Sequence, residues 1–301
     1  MLHLSLQKKK WIWAYAFLLI PMTFFIFIRL YPTISSFRIS LYDWNPLAAE
    51  HPFVGIENYQ KVSEDLAETR SATQMAFKNT GKYVLLGMPL QLILGLLIAW
   101  LLNEIKRFQT FYRAVFFLPF VTSTVAISWV FRWLYSSPFG PLNVLLTSLG
   151  QEPRRFLMNP KTSLYAILAV SVWQGLGYCV IIFLAGMKQI PEVYYEAAQI
   201  DGSNRWQSFR HITLPLLNNS FVYLIVLQTI SFLRMFGPIL NMTSNGDGGP
   251  LNSTTSVVLR IYREGFSSLD MGYASTLSVI LFVIILIITL IQLRITQRDI
   301  T

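Results

Sequence analysis

A short polar segment, residues 188–211, separates two long apolar stretches of the chain. Within it Glu196–Ala198 favours a helix, and Pro191 suits the first turn of that helix, where its missing N–H is not needed. Gly202 is suited to end the helix because glycine takes positive φ without steric cost, and Ser203 can cap a second helix. We therefore predict two short helices joined by a hinge; a plain solvated linker is the alternative.

The other residue types that could do chemistry do not form a catalytic or metal-binding pattern. The three histidines are scattered without a metal-ligand spacing, and no nucleophile elbow occurs. No G-x-x-x-x-G-K-[ST] phosphate loop is present, and the glycine-rich Gly246–Gly249 followed by Pro250 is typical of a turn. Cys179 is the only cysteine, which excludes an internal disulfide. We predict that the chain is not an enzyme and binds no metal or cofactor itself.

Composition indicates a membrane protein. Hydrophobic residues make up 53% of the 301 residues and charged residues only 13%, whereas a soluble domain carries about 25% charged residues. That leaves too little polar surface to cover a globule in water. The net charge of +9 requires no nucleic acid partner, since the cytoplasmic loops of membrane proteins collect Lys and Arg.

About six stretches are long enough to cross a bilayer core, which takes roughly 20 residues of helix. The predicted spans 1 to 6 are Trp11–Leu30, Tyr83–Leu102, Ala114–Tyr135, Leu164–Met187, Ile212–Met235 and Tyr273–Leu293. Span 1 follows Lys8–Lys10 like a signal peptide, but it is too long and no small-x-small cleavage site follows it. The predicted fold class is an all-α integral membrane protein with a single transmembrane domain, residues 1–301.

Orientation follows from the basic residues of the loops. The short basic loops Asn103–Arg113 and Lys188–His211 fall on the same side of the membrane as Lys8–Lys10. Because Lys and Arg accumulate on the cytoplasmic side, we expect both termini and residues 188–211 in the cytoplasm. The loops Pro32–Phe77 and Gly237–Gly272 then face outwards.

The polar segment also resembles a family signature. Glu196-Ala197-Ala198, Asp201-Gly202 and an Ile-x-Leu-Pro ending at Ile212–Pro215 are similar to the EAA motif of binding-protein-dependent ABC importer permeases. Further matches to carbohydrate-uptake permeases are "YDW" at Tyr42–Trp44, "FVGIENY" at Phe53–Tyr59, "GPLNVLL" at Gly140–Leu146 and "MGYAS" at Met271–Ser275. The resemblance runs from about Tyr42 to Gln292 and is to the subunit type found in maltose and glycerol-phosphate importers.

This resemblance implies a type I ABC importer permease fold with a cytoplasmic coupling helix. The residues it assigns to ATPase coupling are Glu196, Ala197, Ala198, Asp201, Gly202 and Arg205. It implies a heterodimer with a second homologous permease, two ATP-binding subunits that hold ATP and Mg, and an extracytoplasmic solute-binding protein. The expected location is a bacterial-type cytoplasmic membrane, and the expected cargo is a sugar or oligosaccharide.

Polar and aromatic residues within the spans are candidates for the translocation pathway, because a polar side chain at membrane depth is costly unless it faces protein or water. They are Trp173, Gln174, Tyr178, Gln228, Phe232, Arg234 and Asn241. Amides can bind sugar hydroxyls, and aromatic rings can pack against the C–H faces of a sugar. Helix packing or anchoring at the membrane interface is the alternative for each of them.

Two departures from the family pattern concern the substrate. The loop "TSNGDGGP" is longer than usual, and Arg234 stands near where the family more often has an acid. If Arg234 faces the pathway, it would favour an anionic sugar such as a uronate or a phosphate. A secondary carbohydrate transporter not driven by ATP is the alternative function, but no Asp or Glu lies mid-span to carry a coupling proton.

Overall fold

The computed structural model describes residues 6–105 and 107–296. Both termini, whose cytoplasmic location is predicted, lie outside the described residues. The helices are Leu6–Phe25, Tyr31–Ile39, Glu57–Ala67, Ala72–Lys82, Met88–Glu104, Gln109–Val121, Thr124–Leu134, Pro141–Ser148, Ser163–Lys188, Glu192–Ile200, Arg205–Ser208, Leu214–Leu216, Asn218–Leu233, Gly237–Met242, Val257–Phe266 and Met271–Thr296. Single π-helical turns occur at Ile26–Leu30, Tyr83–Gly87 and Phe209–Thr213, and 3₁₀ turns at Ser244–Gly246 and Pro250–Asn252. The predicted all-α class is confirmed.

Several of these helices can cross a membrane. Within the described part of the chain, four helices are long and apolar enough to do so, or six if each of two bent pairs is one span. The straight ones are Gln7–Ile39, Ala72–Glu104, Ser163–Lys188 and Met271–Ile295, which correspond to predicted spans 1, 2, 4 and 6. Spans 1 and 2 are both longer than predicted, since their helices continue through π turns into Tyr31–Ile39 and Ala72–Lys82.

The described residues group into two compact units. The first holds the described residues up to Glu64 together with Ile261–Leu281, and the second holds Asp65–Arg260 and the described residues from Phe282 onwards. In the first unit, no residue in the most apolar 18-residue window of span 1 is buried. Its hydrocarbon surface is therefore available to lipid or to another subunit.

Three of the quoted sequence motifs meet in the first unit. The side-chain amide of Asn58, from "FVGIENY", donates to the carbonyl oxygens of Ser40 at 3.0 Å and Tyr42 at 2.9 Å. The backbone N–H of Met271, from "MGYAS", donates to the Trp44 carbonyl at 2.9 Å. These bonds satisfy backbone polar groups of the irregular segment that follows Tyr31–Ile39, which would otherwise be left unpaired.

The core of the second unit lies where spans 2, 4 and 5 pack together. Tyr83, Ile167, Phe183 and Leu224 are fully buried there. Spans 2 and 4 approach closely at Gly95, where an added Cβ would lie 2.7 Å from the Cβ of Cys179. Small residues at such crossings are the usual way for membrane helices to gain packing contacts.

Span 3 is not the single helix Ala114–Tyr135 that the sequence predicts. It consists of Gln109–Val121 and Thr124–Leu134, bent by 92° at the break. Pro119 removes one backbone donor from the first helix, and the hydroxyl of Thr122 donates to the Leu118 carbonyl at 2.7 Å. Threonine bonds of this kind bend helices, and Thr122 itself has an extended backbone, with ψ of 143°.

Span 5 is also broken, so the prediction of one helix over Ile212–Met235 was wrong as well. The helical segments Arg205–Leu216 and Asn218–Leu233 meet at 66°. Pro215 cannot donate a backbone hydrogen bond into a continuous helix, and the bend follows at Leu217, whose ψ is 5°. The second segment ends at Leu233, before Arg234, and Gly237–Met242 forms a separate short helix.

Candidate functional site

A cavity of about 510 Å³ lies in the second unit between spans 2, 3, 4 and 5. Five of the predicted pathway residues line it: Gln174, Tyr178, Gln228, Phe232 and Arg234. Polar and aromatic residues that the sequence reasoning missed also line it: Gln91, Phe120, Thr124 and Ser171. Phe120 and Thr124 lie on either side of the break in span 3.

Two of the predicted residues lie elsewhere. Trp173 is not among the lining residues; its ring packs against Phe131 at 5.2 Å between centroids. Asn241 lies on the separate helix Gly237–Met242, where its amide donates to the Gly237 carbonyl at 2.7 Å. Both residues therefore have structural contacts outside the cavity, and the structure does not bring them together with the other five.

Three glutamines bring amide groups to the cavity. Gln91 and Gln228 each donate towards the Sγ of Cys179, at 3.6 and 3.4 Å. A thiol sulfur is only a weak acceptor, and the side-chain oxygens of these two glutamines accept no hydrogen bond from the described residues. Gln174 differs, because its amide already donates to the Thr124 hydroxyl at 3.1 Å. Gln91 and Gln228 thus keep the larger hydrogen-bonding capacity for a ligand.

Gln91 was missed although a signal existed. It is a lone polar residue in the apolar run of span 2, and the cost of a polar group at membrane depth applies to it as it does to Gln228. It is buried, and an added Cβ at Gly175 would meet its amide. The absence of a side chain at Gly175 therefore makes room for the glutamine.

Aromatic rings form one wall. Phe120 of span 3 stacks on Tyr178 of span 4, with centroids 5.1 Å apart and planes within 24°. The Tyr178 hydroxyl shares a hydrogen bond of 2.7 Å with the hydroxyl of Tyr223 from span 5. Phe232 is nearly buried and contributes mainly packing. The Phe120–Tyr178 pair is thus an exposed ring surface beside amide donors and acceptors.

The cavity carries one formal charge among the described residues that line it, the guanidinium of Arg234. Arg234 caps the C-terminus of the helix Asn218–Leu233, and its side chain is exposed. Arg132 in the last turn of Thr124–Leu134 is placed differently, since its guanidinium lies over the Trp129 ring at 5.1 Å. Among the described residues, no group of three or more His, Cys, Asp or Glu side chains could hold a metal ion.

The predicted hinge in residues 188–211 has a defined geometry. Helix Glu192–Ile200, which we call the EAA helix, begins after Pro191 and ends before Gly202, whose φ is +76°. The N–H of Gly202 donates to the Gln199 carbonyl at 3.1 Å, and the N–H of Ser203 donates to the Ala198 carbonyl at 2.8 Å. This pair of bonds is a Schellman motif, so the predicted role of Gly202 in ending the helix is confirmed.

The cap of the following helix was assigned to the wrong residue. Asn204, not Ser203, accepts a hydrogen bond from the backbone of Gln207 at 2.9 Å, and the Gln207 side chain accepts one from the Asn204 N–H at 2.8 Å. Asn is as good an N-cap as Ser, and the reciprocal glutamine completes a capping box. Gly202 and Ser203 form the hinge itself.

Much of the EAA helix is exposed. Val193 and Ile200 are 68% and 87% exposed, Glu196 and Ala197 are also exposed, and Ala198 is half-buried. Large apolar side chains grouped on a protruding helix are typical of a protein contact surface. The hydroxyl of Tyr195 shares a 2.8 Å hydrogen bond with that of Thr213, which ties the EAA helix to the start of span 5.

The helix after the hinge is held to the C-terminal end of span 2. Trp100 lies against Phe209 at 4.8 Å and against Trp206 at 6.0 Å between ring centroids. Nearby, Arg205 makes an ion pair of 3.4 Å with Glu104, and both side chains are largely in solvent. An aromatic cluster of this kind is a stiffer connection than an exposed ion pair.

Comparison with known proteins gives consistent matches. The family model described as binding-protein-dependent transport system inner membrane component matches residues 83–299. A probable ABC transporter permease protein of Pyrococcus horikoshii is 33% identical over 90% of this chain and 91% of its own length. The trehalose/maltose transport system permease protein MalF of Thermococcus litoralis is 31% identical over 94% of this chain and 92% of its own.

A solved structure shares the fold. A permease chain from the crystal structure of a bacterial ABC transporter involved in import of the acidic polysaccharide alginate superposes with a TM-score of 0.84 over 97% of this chain and 96% of that chain. The two sequences are 23% identical. At that distance the likeness shows that the two chains share a fold.

Proposed function

Because the chain belongs to the family of binding-protein-dependent transport system inner membrane components, we propose that it forms the sugar pathway of an ATP-driven importer. The cargo is a sugar or oligosaccharide delivered by an extracytoplasmic binding protein. The names of relatives support a carbohydrate cargo, since they include transporters of trehalose and maltose and of arabinooligosaccharides. The chain is a transport permease subunit of a multi-pass membrane complex rather than an enzyme. We favour this function over that of a secondary transporter.

The observation that carries this proposal is the composition of the cavity. Gln91 and Gln228 offer unused amide oxygens, and the stacked rings of Phe120 and Tyr178 offer a flat apolar surface. A sugar ring carries hydroxyl groups around its edge and apolar C–H groups on its faces. A sugar site therefore needs hydrogen-bonding groups and an apolar surface side by side. The volume of about 510 Å³ falls in the range of small-molecule sites.

The EAA helix is proposed to couple the cavity to ATP hydrolysis. Its exposed apolar side chains, with Glu196 and Ala197, are free to enter a cleft on an ATPase subunit. The Tyr195–Thr213 hydrogen bond and the Trp100 cluster then pass a movement of the helix to spans 2 and 5. Both spans contribute residues to the cavity.

The remaining parts of the complex follow from this role. We propose a heterodimer with a second, similar permease, two ATPase subunits that bind ATP and Mg, and one binding protein that docks outside. This chain itself binds no cofactor in the proposal. Its termini and the EAA helix lie in the cytoplasm of a bacterial-type cell, and the chain is surrounded by membrane lipid.

Reconstitution tests the function. The complete complex in ATP-loaded proteoliposomes should take up radiolabelled sugar only when the binding protein is added outside, and uptake should stop when ATP is replaced by a non-hydrolysable analogue. Uptake driven by an ion gradient without ATP would contradict the proposal.

Orientation is tested by labelling. Single cysteines at the exposed positions Glu64 and Asp247, in a background with Cys179 replaced by alanine, should react with an impermeant thiol reagent in intact cells. A cysteine at the exposed Ile200 should react only after lysis. The reverse pattern would place the EAA helix outside and remove its proposed role.

A further inference from the structure

Arg234 is the charged member of an otherwise neutral cavity. Its side chain lines the space together with the amides of Gln91 and Gln228, and none of the described lining residues is Asp, Glu or Lys. No ion pair or hydrogen bond from another described residue reaches its guanidinium. The cavity therefore presents a cation that has no counter-charge among the residues that the structure describes.

A structural role does not account for this placement. Arg234 lies at the C-terminus of the helix Asn218–Leu233, where a cation interacts favourably with the helix dipole. That interaction would be satisfied equally well with the side chain directed to lipid headgroups or bulk solvent. Arg132 shows the alternative, because it lies near the end of its own helix and covers the Trp129 ring.

We propose that the transported sugar is anionic and that Arg234 binds its carboxylate or phosphate group within the cavity. This inference rests on the proposed function and specifies its substrate class. Guanidinium groups bind both oxyanions through two parallel hydrogen bonds. The cavity wall offers no carboxylate that would compete for Arg234 or repel an acidic sugar.

The rest of the cavity fits the neutral part of such a molecule. The Phe120–Tyr178 stack and the amide oxygens of Gln91 and Gln228 line the same space as Arg234. A sugar ring can therefore lie against the aromatic wall while its acidic substituent reaches the guanidinium. The arginine contributes charge recognition, and the amides contribute hydroxyl recognition that a neutral sugar would use equally.

The test is uptake of a fixed panel by the complete complex with its binding protein in ATP-loaded proteoliposomes. The panel contains neutral maltotriose, arabinotriose and galactotriose, the uronides trigalacturonate and trimannuronate, and the phosphates glucose 6-phosphate and glycerol 3-phosphate. We expect uptake of a uronide or a phosphate, and a loss of about tenfold or more in Arg234→Gln, since a hydrogen-bonded charge pair is removed.

Matched variants separate charge recognition from folding. Arg132→Gln removes an arginine from a comparable helix end outside the cavity and should leave uptake unchanged. Arg234→Lys keeps the charge but loses the paired geometry; it should retain more uptake of a phosphate than of a uronide, because lysine binds phosphate well as a point charge. Co-purification of the partner subunits shows whether each variant assembles. If Arg234→Gln does not assemble, uptake by Arg234→Lys is compared with uptake by the unchanged complex instead.

Three other outcomes would overturn the inference. Uptake of neutral sugars alone would overturn the anionic substrate and leave the sugar importer intact. Uptake of an anionic sugar that Arg234→Gln and Arg234→Lys do not reduce would also overturn the inference. Absence of ATP-dependent uptake for the whole panel would count against the proposed function, and the inference would fall with it.

Discussion

The side-chain amide of Gln174 donates to the hydroxyl of Thr124 at 3.1 Å, and this bond joins the middle of span 4 to the break in span 3. The same amide lies 3.4 Å from the carbonyl oxygen of Thr122, the residue whose extended backbone ends the first half of that span. Gln174 therefore lines the cavity and also satisfies backbone groups that the break leaves open.

Replacing Gln174 should act through this bond. If the residue mainly positions span 3, Thr124→Val should impair uptake about as much as Gln174→Leu, because each removes the same hydrogen bond, worth about 1 kcal/mol. The double variant should then be little worse than either single one. The measurement is the KM and maximal rate of uptake for all three. A large KM increase confined to Gln174→Leu would instead show that its amide binds sugar.

The stacked pair of Phe120 and Tyr178 gives a second prediction. Tyr178→Phe keeps the ring and loses only the hydrogen bond to Tyr223, so we expect a small effect on uptake. Tyr178→Ala removes the ring surface, and an aromatic contact of this kind contributes about 1 kcal/mol or more, so KM should rise about fivefold or more. Tyr223→Phe is the control, since it removes the same hydrogen bond from the other side. Equal effects of all three variants would assign Tyr178 to hydroxyl bonding rather than stacking.

Sequence patterns were sufficient for the elements that depend on local chemistry. Hydropathy located the straight spans, and the glycine stop at Gly202 followed from the steric freedom of glycine. The neighbouring cap was harder, because Ser203 and Asn204 are both good N-caps. Only the partner glutamine three residues after Asn204 distinguishes the two, and that capping-box spacing was present in the sequence.

The breaks in spans 3 and 5 illustrate what hydropathy alone does not report. An apolar window has the same mean value whether its helix is straight or bent, so Pro119 and Pro215 were absorbed into continuous spans. Phe120 and Thr124 flank the break in span 3, and for that reason they were missed as cavity residues. Trp173 lies outside the cavity for a different reason: its ring packs against Phe131. The face of a helix on which a residue lies depends on the rotation of that helix, which packing decides.

Two connections hold the segment after the hinge, and their expected contributions differ. The Arg205–Glu104 ion pair is exposed, and such pairs contribute about 0–1 kcal/mol. We therefore expect Arg205→Ala to retain most of the substrate-stimulated ATP hydrolysis, although the family resemblance assigned it to coupling. Trp100→Ala removes the aromatic cluster with Trp206 and Phe209 and should reduce that stimulation severalfold. If Arg205→Ala severely reduces substrate-stimulated ATP hydrolysis while Glu104→Ala leaves it normal, Arg205 contacts the ATPase directly.

The hinge glycine allows a test in which strain is separated from position. Gly202 and Gly150 have nearly the same φ, +76° and +73°, and an added Cβ at either would meet no atom within 4 Å. Valine at either site therefore introduces the same backbone strain, of about 1–2 kcal/mol, without a clash. Gly202→Val should abolish substrate-stimulated ATP hydrolysis and uptake, whereas Gly150→Val, in the loop after Pro141–Ser148, should not. Gly202→Asn should recover much of the activity, because asparagine tolerates positive φ. Normal stimulation in an assembled Gly202→Val complex would exclude the EAA helix as a rigid coupling element.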